Sequence, residues 1–218
     1  MNILVTGGCG FIGSNYLNKM VKNYPYDSFV CVDKLTYAGH IENIKNILDL
    51  HNFRFIKGDI CDKKLIDDLF KEIHFDLIIN YAAETHVDTS IKNPDIFLKT
   101  NIEGVLNLLE ASIKYNVGRF HQVSTDEVYG DKELDSSDSF IETDVLKPSS
   151  PYSASKASAE LLVMAFHRTF GLDVTISRSV NNYGINQNKE KFIPTIIDCI
   201  KKGKEIPVYG KGNNIRSW

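Results

Sequence analysis

Short apolar runs alternate with amphipathic stretches along most of the chain. The apolar runs have the length of buried strands, and the amphipathic stretches show the i, i+3, i+4 spacing of helices. Strands are predicted at 3–6, 29–33, 53–57, 76–82, 120–124 and 174–178. Helices are predicted at 11–21, 63–72, 94–115 and 151–170, with Pro94 and Pro151 near the starts of the last two and Gly171 as a C-cap.

Strands that are apolar on both faces and alternate with helices indicate a parallel sheet covered on both sides. With right-handed crossovers, this pattern predicts an α/β, doubly wound Rossmann fold over residues 1–180. After Tyr183 the alternation fades, and only a helix at 192–202 and a short strand at 206–209 are predicted. Residues 181–218 are therefore expected to form part of a smaller, substrate-side region.

Composition and charge narrow the class of protein. The 218 residues are 43% hydrophobic and 24% charged, with a net charge of -3, which gives no reason to expect nucleic acid or an anionic membrane as a partner. The N-terminal apolar run leads directly into a glycine turn, so it predicts a strand rather than a signal peptide. The four cysteines are scattered without metal-ligand spacing. They predict small buried thiols, no metal site and a reducing, cytoplasmic compartment.

A glycine-rich turn follows the first strand. Gly7, Gly10 and Gly13 have the spacing G-x-x-G-x-x-G between a predicted strand and a predicted helix. In dinucleotide-binding folds, the first glycine makes the turn, the second lets the backbone approach a pyrophosphate, and the third lets the helix pack closely. The pyrophosphate then meets free N–H groups at the helix N-terminus. This context predicts a dinucleotide site.

An acidic residue ends the second strand, 20 residues after the last of these glycines. Asp33 is placed to accept both ribose hydroxyls and would repel a 2′-phosphate, so NAD is favoured over NADP. The basic neighbour Lys34 weakens that preference only slightly. Asp59 follows the third strand and is a candidate for contact with the adenine amino group.

Tyr152 and Lys156 form a Tyr-x-x-x-Lys pair on the helix after the fifth strand. Residues four apart share a helix face, so the ammonium is predicted to lower the pKa of the phenol. Lowering a tyrosine pKa from ~10 to near neutrality needs about 4 kcal/mol. One unit charge at ~4 Å supplies about that much at an effective dielectric constant of ~20. The lysine and a positive nicotinamide ring together are therefore sufficient.

The fifth strand runs into Ser124-Thr125-Asp126-Glu127, at the strand end where substrate chemistry is expected. Thr125 is a candidate for orienting a reacting hydroxyl. Two adjacent acids exceed what a simple dehydrogenase needs, and they are explained if a second proton has to move. The polar segment that follows, 131–150, is predicted to be a long surface loop.

Together these segments resemble the dTDP-glucose 4,6-dehydratase family of extended short-chain dehydrogenases/reductases. The resemblance rests on G-G-C-G-F-I-G (7–13), D-K-L-T-Y-A-G (33–39), A-A-E-T-H-V-D (82–88), S-T-D-E-V-Y-G (124–130), P-Y-S-A-S-K-A-S (151–158), N-N-Y-G (181–184), E-K-F-I-P (190–194) and Y-G-K-G-N-N-I-R-S-W (209–218). It implies oxidation of the sugar at C4 with NAD, loss of water across C5–C6, and return of the hydride to C6. In this chemistry Tyr152 is the first base, Glu127 removes the C5 proton, and Asp126 protonates the leaving C6 hydroxyl.

The resemblance also implies site residues. The catalytic set is Thr125, Asp126, Glu127, Tyr152 and Lys156. The cofactor set is Gly7, Gly10, Phe11, Ile12, Gly13, Asp33, Lys34, Thr36, Asp59, Ile60, Ala82, Ala83, Thr100, Tyr152 and Lys156. The substrate set, for a nucleotide-diphosphate sugar, is Glu84, His86, Thr125, Asn181, Lys191 and Arg216. A homodimer formed through the helices near 94–115 and 151–170 is implied in the same way.

The chain departs from the family pattern at three positions, with Cys9 in place of alanine, Thr89 in place of arginine and Ile185 in place of proline. Family members continue beyond the position of Trp218, so we expect a truncated form with an incomplete sugar-nucleotide pocket, whether a fragment or a natural truncation. Three alternatives remain open at this point. These are a UDP-sugar 4,6-dehydratase, a 4-epimerase of the same superfamily, and a truncated NAD-binding protein without turnover.

Overall fold

The computed structural model describes residues 1–132, 138–208, 212 and 218. Six parallel strands form one sheet in the order β3-β2-β1-β4-β5-β6. The strands are β1 Asn2–Thr6, β2 Ser28–Asp33, β3 Phe53–Lys57, β4 Leu77–Asn80, β5 Arg119–Thr125 and β6 Val174–Ser179. The order reverses between β1 and β4, which is the switch point where doubly wound sheets bind ligands. The predicted fold class is confirmed.

Helices cover both faces of the sheet. They are α1 Phe11–Asn23, α2 Lys63–Glu72, α3 Val87–Lys92, α4 Asp95–Leu98, α5 Gly104–Lys114, α6 Pro151–Phe170 and α7 Phe192–Lys202. Local sequence sets several of these ends. Ser150 and Ser153 form a capping box at the start of α6, and Gly171 ends it in the left-handed region at φ 74°. The predicted bounds of α2, α6 and α7 match the structure.

Two apolar clusters lie on opposite faces of the sheet, as the two-faced strands predicted. On one face, Leu4, Ile78 and Phe120 pack with buried side chains of α2, α5 and α6. On the other, Val5 and Phe29 pack with buried side chains of α1. Cys9 and Cys31 are buried free thiols, as predicted, whereas Cys61 and Cys199 are only partly buried.

The helix predicted at 94–115 is interrupted. After α4 the chain widens into a π turn over Lys99–Glu103 before α5 begins. The turn directs the buried Asn101 side chain toward the sheet, where it accepts from the backbone N–H of Glu84 at 2.8 Å and donates to the Glu84 carbonyl at 3.0 Å. The prediction missed this turn because helical apolar spacing continues through it. It also missed the six-residue helix α3.

The predicted strand at 206–209 is not formed by residues 206–208, which have no regular structure. A strand needs a partner backbone, and in the described sheet β6 pairs only with β5. Tyr209 and Arg216 lie outside the described residues. The predicted surface loop contains no helix or strand at 131–132 and 138–150, and its residues 133–137 also lie outside the described part.

Within the described residues, no helix combines the length and the apolar character needed to cross a bilayer. Those residues also contain no group of three or more histidine, cysteine, aspartate or glutamate side chains arranged to hold a metal ion.

Candidate active site

A cleft of about 320 Å³ lies at the carboxyl ends of the strands, above the switch point. It brings together nearly all of the residues predicted from the sequence. The lining includes Gly7, Gly10, Phe11, Ile12, Gly13, Asp33, Lys34, Thr36, Asp59, Ile60, Ala82, Ala83, Glu84, Thr100, Thr125, Asp126, Glu127, Tyr152, Lys156, Asn181 and Lys191. Of the predicted set, His86 is not part of the lining, and Arg216 lies outside the described residues.

The glycine turn packs against the end of β4 with no room for side chains. Gly7 has φ 68°, and a Cβ atom there would lie 2.5 Å from the backbone N of Ala82. A Cβ atom on Gly13 would lie 2.6 Å from the carbonyl O of Gly7. Gly10 precedes α1 without a side-chain cap, so the helix N-terminus faces the cleft with its first N–H groups uncapped. This cradle fits the diphosphate of a dinucleotide.

Asp33 is buried beside the glycine turn. One carboxylate oxygen accepts from the backbone N–H of Cys9 and the other from that of Leu35, each at 2.8 Å. Burial raises the pKa of Asp33, while these two hydrogen bonds act in the opposite direction. Each oxygen keeps further acceptor capacity, so the carboxylate remains suited to a ribose diol. Leu35 adopts φ 57°, a conformation that holds the turn over Asp33.

Lys34 does not oppose the preference for NAD over NADP that is predicted from Asp33. Its ammonium lies 2.7 Å from the carboxylate of Asp59, so that charge is paired within the cleft wall. Burial raises the pKa of Asp59, but Lys34 and the backbone N–H of Cys61 outweigh burial and leave that pKa lowered. Asp59 is therefore an anchored carboxylate at the position predicted to contact adenine.

Tyr152 and Lys156 lie one turn apart on α6, and both are buried. Lys156 donates to the carbonyl of Val123 on β5 at 2.7 Å. Burial lowers its pKa to about 8, and the negative charge of Glu160 acts in the opposite direction. The helix face thus carries the phenol and the amine into the cleft, as predicted.

The protein's own groups do not give the lowered pKa that was predicted for the Tyr152 phenol. The pKa of Tyr152 is raised, first by burial and then by the negative charge of Glu127, with a smaller effect from Asp126. Hydrogen bonding with the Thr125 hydroxyl acts in the opposite direction. Desolvation and the two neighbouring carboxylates all disfavour a phenolate at this position.

The two acids follow β5 in a 3-10 turn, Asp126–Tyr129. Thr125 caps this turn, since its hydroxyl accepts from the backbone N–H of Glu127 at 3.2 Å and donates to Asp126 at 3.3 Å. Both carboxylates raise the pKa of Tyr152, so they lie close enough to interact electrostatically with the phenol. A phenol, a hydroxyl and two carboxyl groups therefore meet at one end of the cleft.

Three further residues of the predicted substrate set, Glu84, Asn181 and Lys191, line the cleft. Burial raises the pKa of Glu84, whose backbone is clamped by Asn101. His86 caps α3 instead of lining the cleft, and its Nδ1 accepts from the backbone N–H of Thr89 at 3.2 Å. Its Nε2 lies 3.7 Å from Glu190, which does line the cleft. Thr89 stands where the family pattern has arginine, and its hydroxyl lies 3.1 Å from Nδ1 of His86.

Several lining residues were not predicted. Tyr37 is not itself in the lining, but it hydrogen-bonds with Thr85 and acts electrostatically on Tyr152, both of which line the cleft. Its place in the D-K-L-T-Y-A-G segment was the available signal. Gln187 and Asn188 belong to a stretch that diverges from the family pattern, so sequence reasoning could not assign them. The further lining residues are Val32, Ala38, Gly39, Gly58, Tyr81, Thr85, Val123, Ser124, Ser179, Val180, Asn182 and Glu190.

A doubly wound parallel sheet with this glycine turn, acidic strand end and Tyr-x-x-x-Lys helix defines the extended short-chain dehydrogenase/reductase class. The family model described as GDP-mannose 4,6 dehydratase matches residues 4–218, and the chain belongs to this family.

Relatives and solved structures agree with this assignment. The chain is 45% identical over 218 residues to the dTDP-glucose 4,6-dehydratase of Mycobacterium tuberculosis (strain H37Rv), and it spans 64% of the length of that relative. It is similar to the crystal structure of DesIV, a dTDP-glucose 4,6-dehydratase from Streptomyces venezuelae with NAD and TYD bound. The TM-score is 0.94 at 43% identity, covering 100% of this chain and 67% of that one. A UDP-glucose 4-epimerase from Thermotoga maritima, with UDP-glucose, matches at TM-score 0.87 and 33% identity, covering 99% of this chain and 68% of that one.

Proposed function

We propose that this chain carries the NAD site and the catalytic groups of a nucleotide-sugar 4,6-dehydratase that uses NAD and acts on dTDP-glucose. The observation that carries the proposal is the meeting of Asp126, Glu127 and Tyr152 at one end of the cleft. A 4-epimerase needs only the phenol and its lysine for proton transfer. Two carboxyl groups facing the same phenol are what an added elimination step requires.

NAD fits the residues of the cleft. Its diphosphate would be held by the N–H groups at the start of α1, where the cradle around Gly7 and Gly13 leaves no room for side chains. Its adenosine ribose would be held by Asp33, and its nicotinamide ribose by Tyr152 and Lys156. Bound NAD would accept a hydride and return it, and its positive ring would favour the phenolate of Tyr152 that the protein's own groups disfavour.

Three proton transfers fall to side chains of this chain. Tyr152 takes the proton of the C4 hydroxyl as C4 is oxidised to a ketone. The ketone acidifies C5, where Glu127 removes the proton. Asp126, in its acid form, protonates the departing C6 hydroxyl, so that water leaves. The transfer to Glu127 is then reversed, so that C5 regains its proton as the hydride taken from C4 is returned to C6, and the product is a 4-keto-6-deoxy sugar.

The region 181–218 is proposed to contribute to the sugar-nucleotide pocket, with 1–180 holding NAD and the catalytic groups. Asn181 and Lys191 line the cleft, and Lys191 supplies a cation for a diphosphate. The segment between them is tied to α1, because Asn15 donates to the carbonyl of Ile185 at 2.8 Å and Asn186 donates to Ser14 at 3.1 Å. These contacts support a pocket wall formed by the tail.

We also propose that the protein is a cytoplasmic homodimer. Leu98, Leu161 and Met164 leave 47%, 56% and 41% of their surface exposed on α4 and α6, which gives an apolar face for a second copy. Sedimentation analysis of Leu161→Glu should show monomers. Exposed Phe170→Glu, at the far end of α6, is the matched control.

The proposed activity is tested by incubating the chain with dTDP-glucose and NAD and measuring the alkali-induced absorbance of a 4-keto sugar. Parallel reactions use UDP-glucose, and sugar analysis detects any dTDP-galactose. A 4-keto product from dTDP-glucose supports the proposal, and product from UDP-glucose alone assigns the substrate to the UDP class. Galactose formation would indicate an epimerase. NAD binding without any product would favour a non-catalytic NAD-binding module.

A further inference from the structure

A buried ion pair lies directly behind the Tyr152–Lys156 face of α6. Glu160 has no exposed surface, and it follows Lys156 by four residues, as Lys156 follows Tyr152. Residues at this spacing share one helix face. The three ionisable groups therefore form a row from the cleft into the interior between α6 and the sheet.

The pairing of this carboxylate is one-sided. Arg178 on β6 donates to a single oxygen, Oε2, from Nε at 2.9 Å and from Nη2 at 2.7 Å. The other oxygen, Oε1, is buried and has no hydrogen-bond partner among the described residues. A buried, unsatisfied carboxylate oxygen is destabilising, so the contact with Arg178 alone does not account for this arrangement.

Arg178 contacts this carboxylate directly, and a second cation, Lys156, lies one helical turn before it on α6. Lys156 is buried and donates only to the Val123 carbonyl among the described groups, and no ion pair within 4.0 Å joins it to Glu160. The charge of Glu160 nevertheless acts on it and favours its protonated form. In a poorly polarisable interior, such an interaction persists beyond contact distance.

Other titratable and charged groups surround α6 besides Glu160. They belong to α6 itself and to the strands, helices and turns packed against it. They are Arg119 and His121 on β5, Asp126, Glu127 and Tyr129 in the 3-10 turn, Arg178 on β6, Asp88 and Lys92 on α3, Asp95 on α4, Lys99 and Glu103 in the π turn, Glu110 and Lys114 on α5, and Tyr152, His167 and Arg168 on α6. Among the described groups, Glu160 is the one whose charge raises the pKa of Lys156.

We propose that Glu160 is a buried countercharge, shared with Arg178, that keeps the Lys156 side chain in its ammonium form. Glu160 is a positioning residue in this role, because it acts through Lys156 and does not line the cleft. The consequence for catalysis rests on the proposed function, in which the ammonium holds the nicotinamide ribose and favours the phenolate. The protonation of Lys156 itself is measurable without substrate or cofactor.

The test follows the side-chain nitrogen of Lys156 by NMR in protein labelled with ¹⁵N-lysine, with Lys156→Met identifying the signal. The titration midpoint of the unaltered chain is expected near pH 8. Glu160→Gln should lower it by at least about one pH unit, since a nearby negative charge is removed. Arg178→Met should raise it, because the carboxylate then faces a single cation. Glu110→Gln, an exposed carboxylate paired with Lys63, is the matched control and should leave it unchanged.

Glu160→Gln leaves Arg178 unpaired, which is expected to weaken folding. The double variant Glu160→Gln, Arg178→Met removes both charges, and it should fold while still lowering the midpoint. A midpoint unmoved in both variants overturns the countercharge. If Arg178→Met fails to raise the midpoint, the sharing of Glu160 is wrong. The midpoint of the pH dependence of NAD affinity should change among these variants in the same direction as the NMR midpoint of Lys156. Absence of NAD binding would count against the proposed function but would leave the NMR result intact.

Discussion

Gly10 should be the position where one added methyl group weakens cofactor binding without damaging the fold. In Gly10→Ala the new Cβ would meet one described atom within 4 Å, the carbonyl O of Gly7, at an ordinary 3.4 Å. The backbone at Gly10 has φ -75°, which alanine adopts freely. Alanine is a poorer N-cap than glycine, so the free energy of unfolding should fall by less than about 1 kcal/mol.

The same methyl group would project where the diphosphate is proposed to approach the backbone. Displacing it from the N–H groups of α1 would remove charge-assisted hydrogen bonds, each contributing about 1.5 to 3 kcal/mol. Loss of one such bond corresponds to a roughly 10- to 100-fold weaker Kd for NAD. Calorimetric titration with NAD measures the affinity, and denaturant unfolding of the same sample measures stability.

Two other glycines separate the possible causes. Gly171→Ala meets nothing within 4 Å but forces alanine into φ 74°, so it should lose about 1 kcal/mol of stability and bind NAD normally. Gly13→Ala would place its methyl 2.6 Å from the Gly7 carbonyl, so it should lose both stability and affinity. If Gly10→Ala binds NAD like the unaltered chain, the diphosphate does not cross Gly10 and the proposed cradle is wrong.

Three further substitutions test separate groups. Glu127→Gln should stop elimination while hydride transfer continues, so NADH absorbance should accumulate on mixing with dTDP-glucose; loss of both steps would contradict its assignment as the C5 base. Asp33→Asn should weaken NAD binding about tenfold and should make the difference in affinity between NAD and NADP smaller. An unchanged Kd for NAD would rule out the ribose contact. Lys156→Met should raise the free energy of unfolding at neutral pH. The lysine pKa falls from its ordinary 10.5 to about 8 on folding, so charging it there opposes folding by about 3 kcal/mol, less about 1 kcal/mol for the hydrogen bond to Val123. Between these two pKa values the unfolded chain binds more protons than the folded chain, so the unaltered chain gains stability as pH rises from 8 to 10.5. The difference in the free energy of unfolding between the unaltered chain and Lys156→Met should therefore become smaller over this pH range.

The sequence was sufficient for elements whose cause is local. Strands that are apolar throughout predicted the two-faced parallel sheet, and the glycine spacing predicted a turn whose close approach to Ala82 the structure contains. The π turn at Lys99–Glu103 was missed because nothing in its residue types departs from helical periodicity. Its cause is non-local, since Asn101 bonds to the Glu84 backbone and to Ser155 on a distant helix.

The same distinction applies to the pKa of Tyr152. Spacing alone brings Lys156 onto its helix face, and that much was predictable. How deeply the phenol is buried, and how near the two carboxylates of the 3-10 turn come to it, depends on the packing of α6 against β5 and that turn. Among the protein's own groups, desolvation and like charge then raise this pKa.

The charges around α6 suggest why the site keeps an unfavourable arrangement. An ammonium buried at Lys156 and a one-sided carboxylate at Glu160 each weaken the fold, and replacing such groups with apolar ones commonly stabilises a protein. Arg178 also donates to the hydroxyl of Tyr129, in the turn that carries Asp126 and Glu127. One buried cluster therefore joins the helix that holds the phenol and amine to the turn that holds the acids. Stability is given up where α6, β6 and that turn meet, and under the proposed function this would fix the position and charge of the phenol, the amine and the two acids.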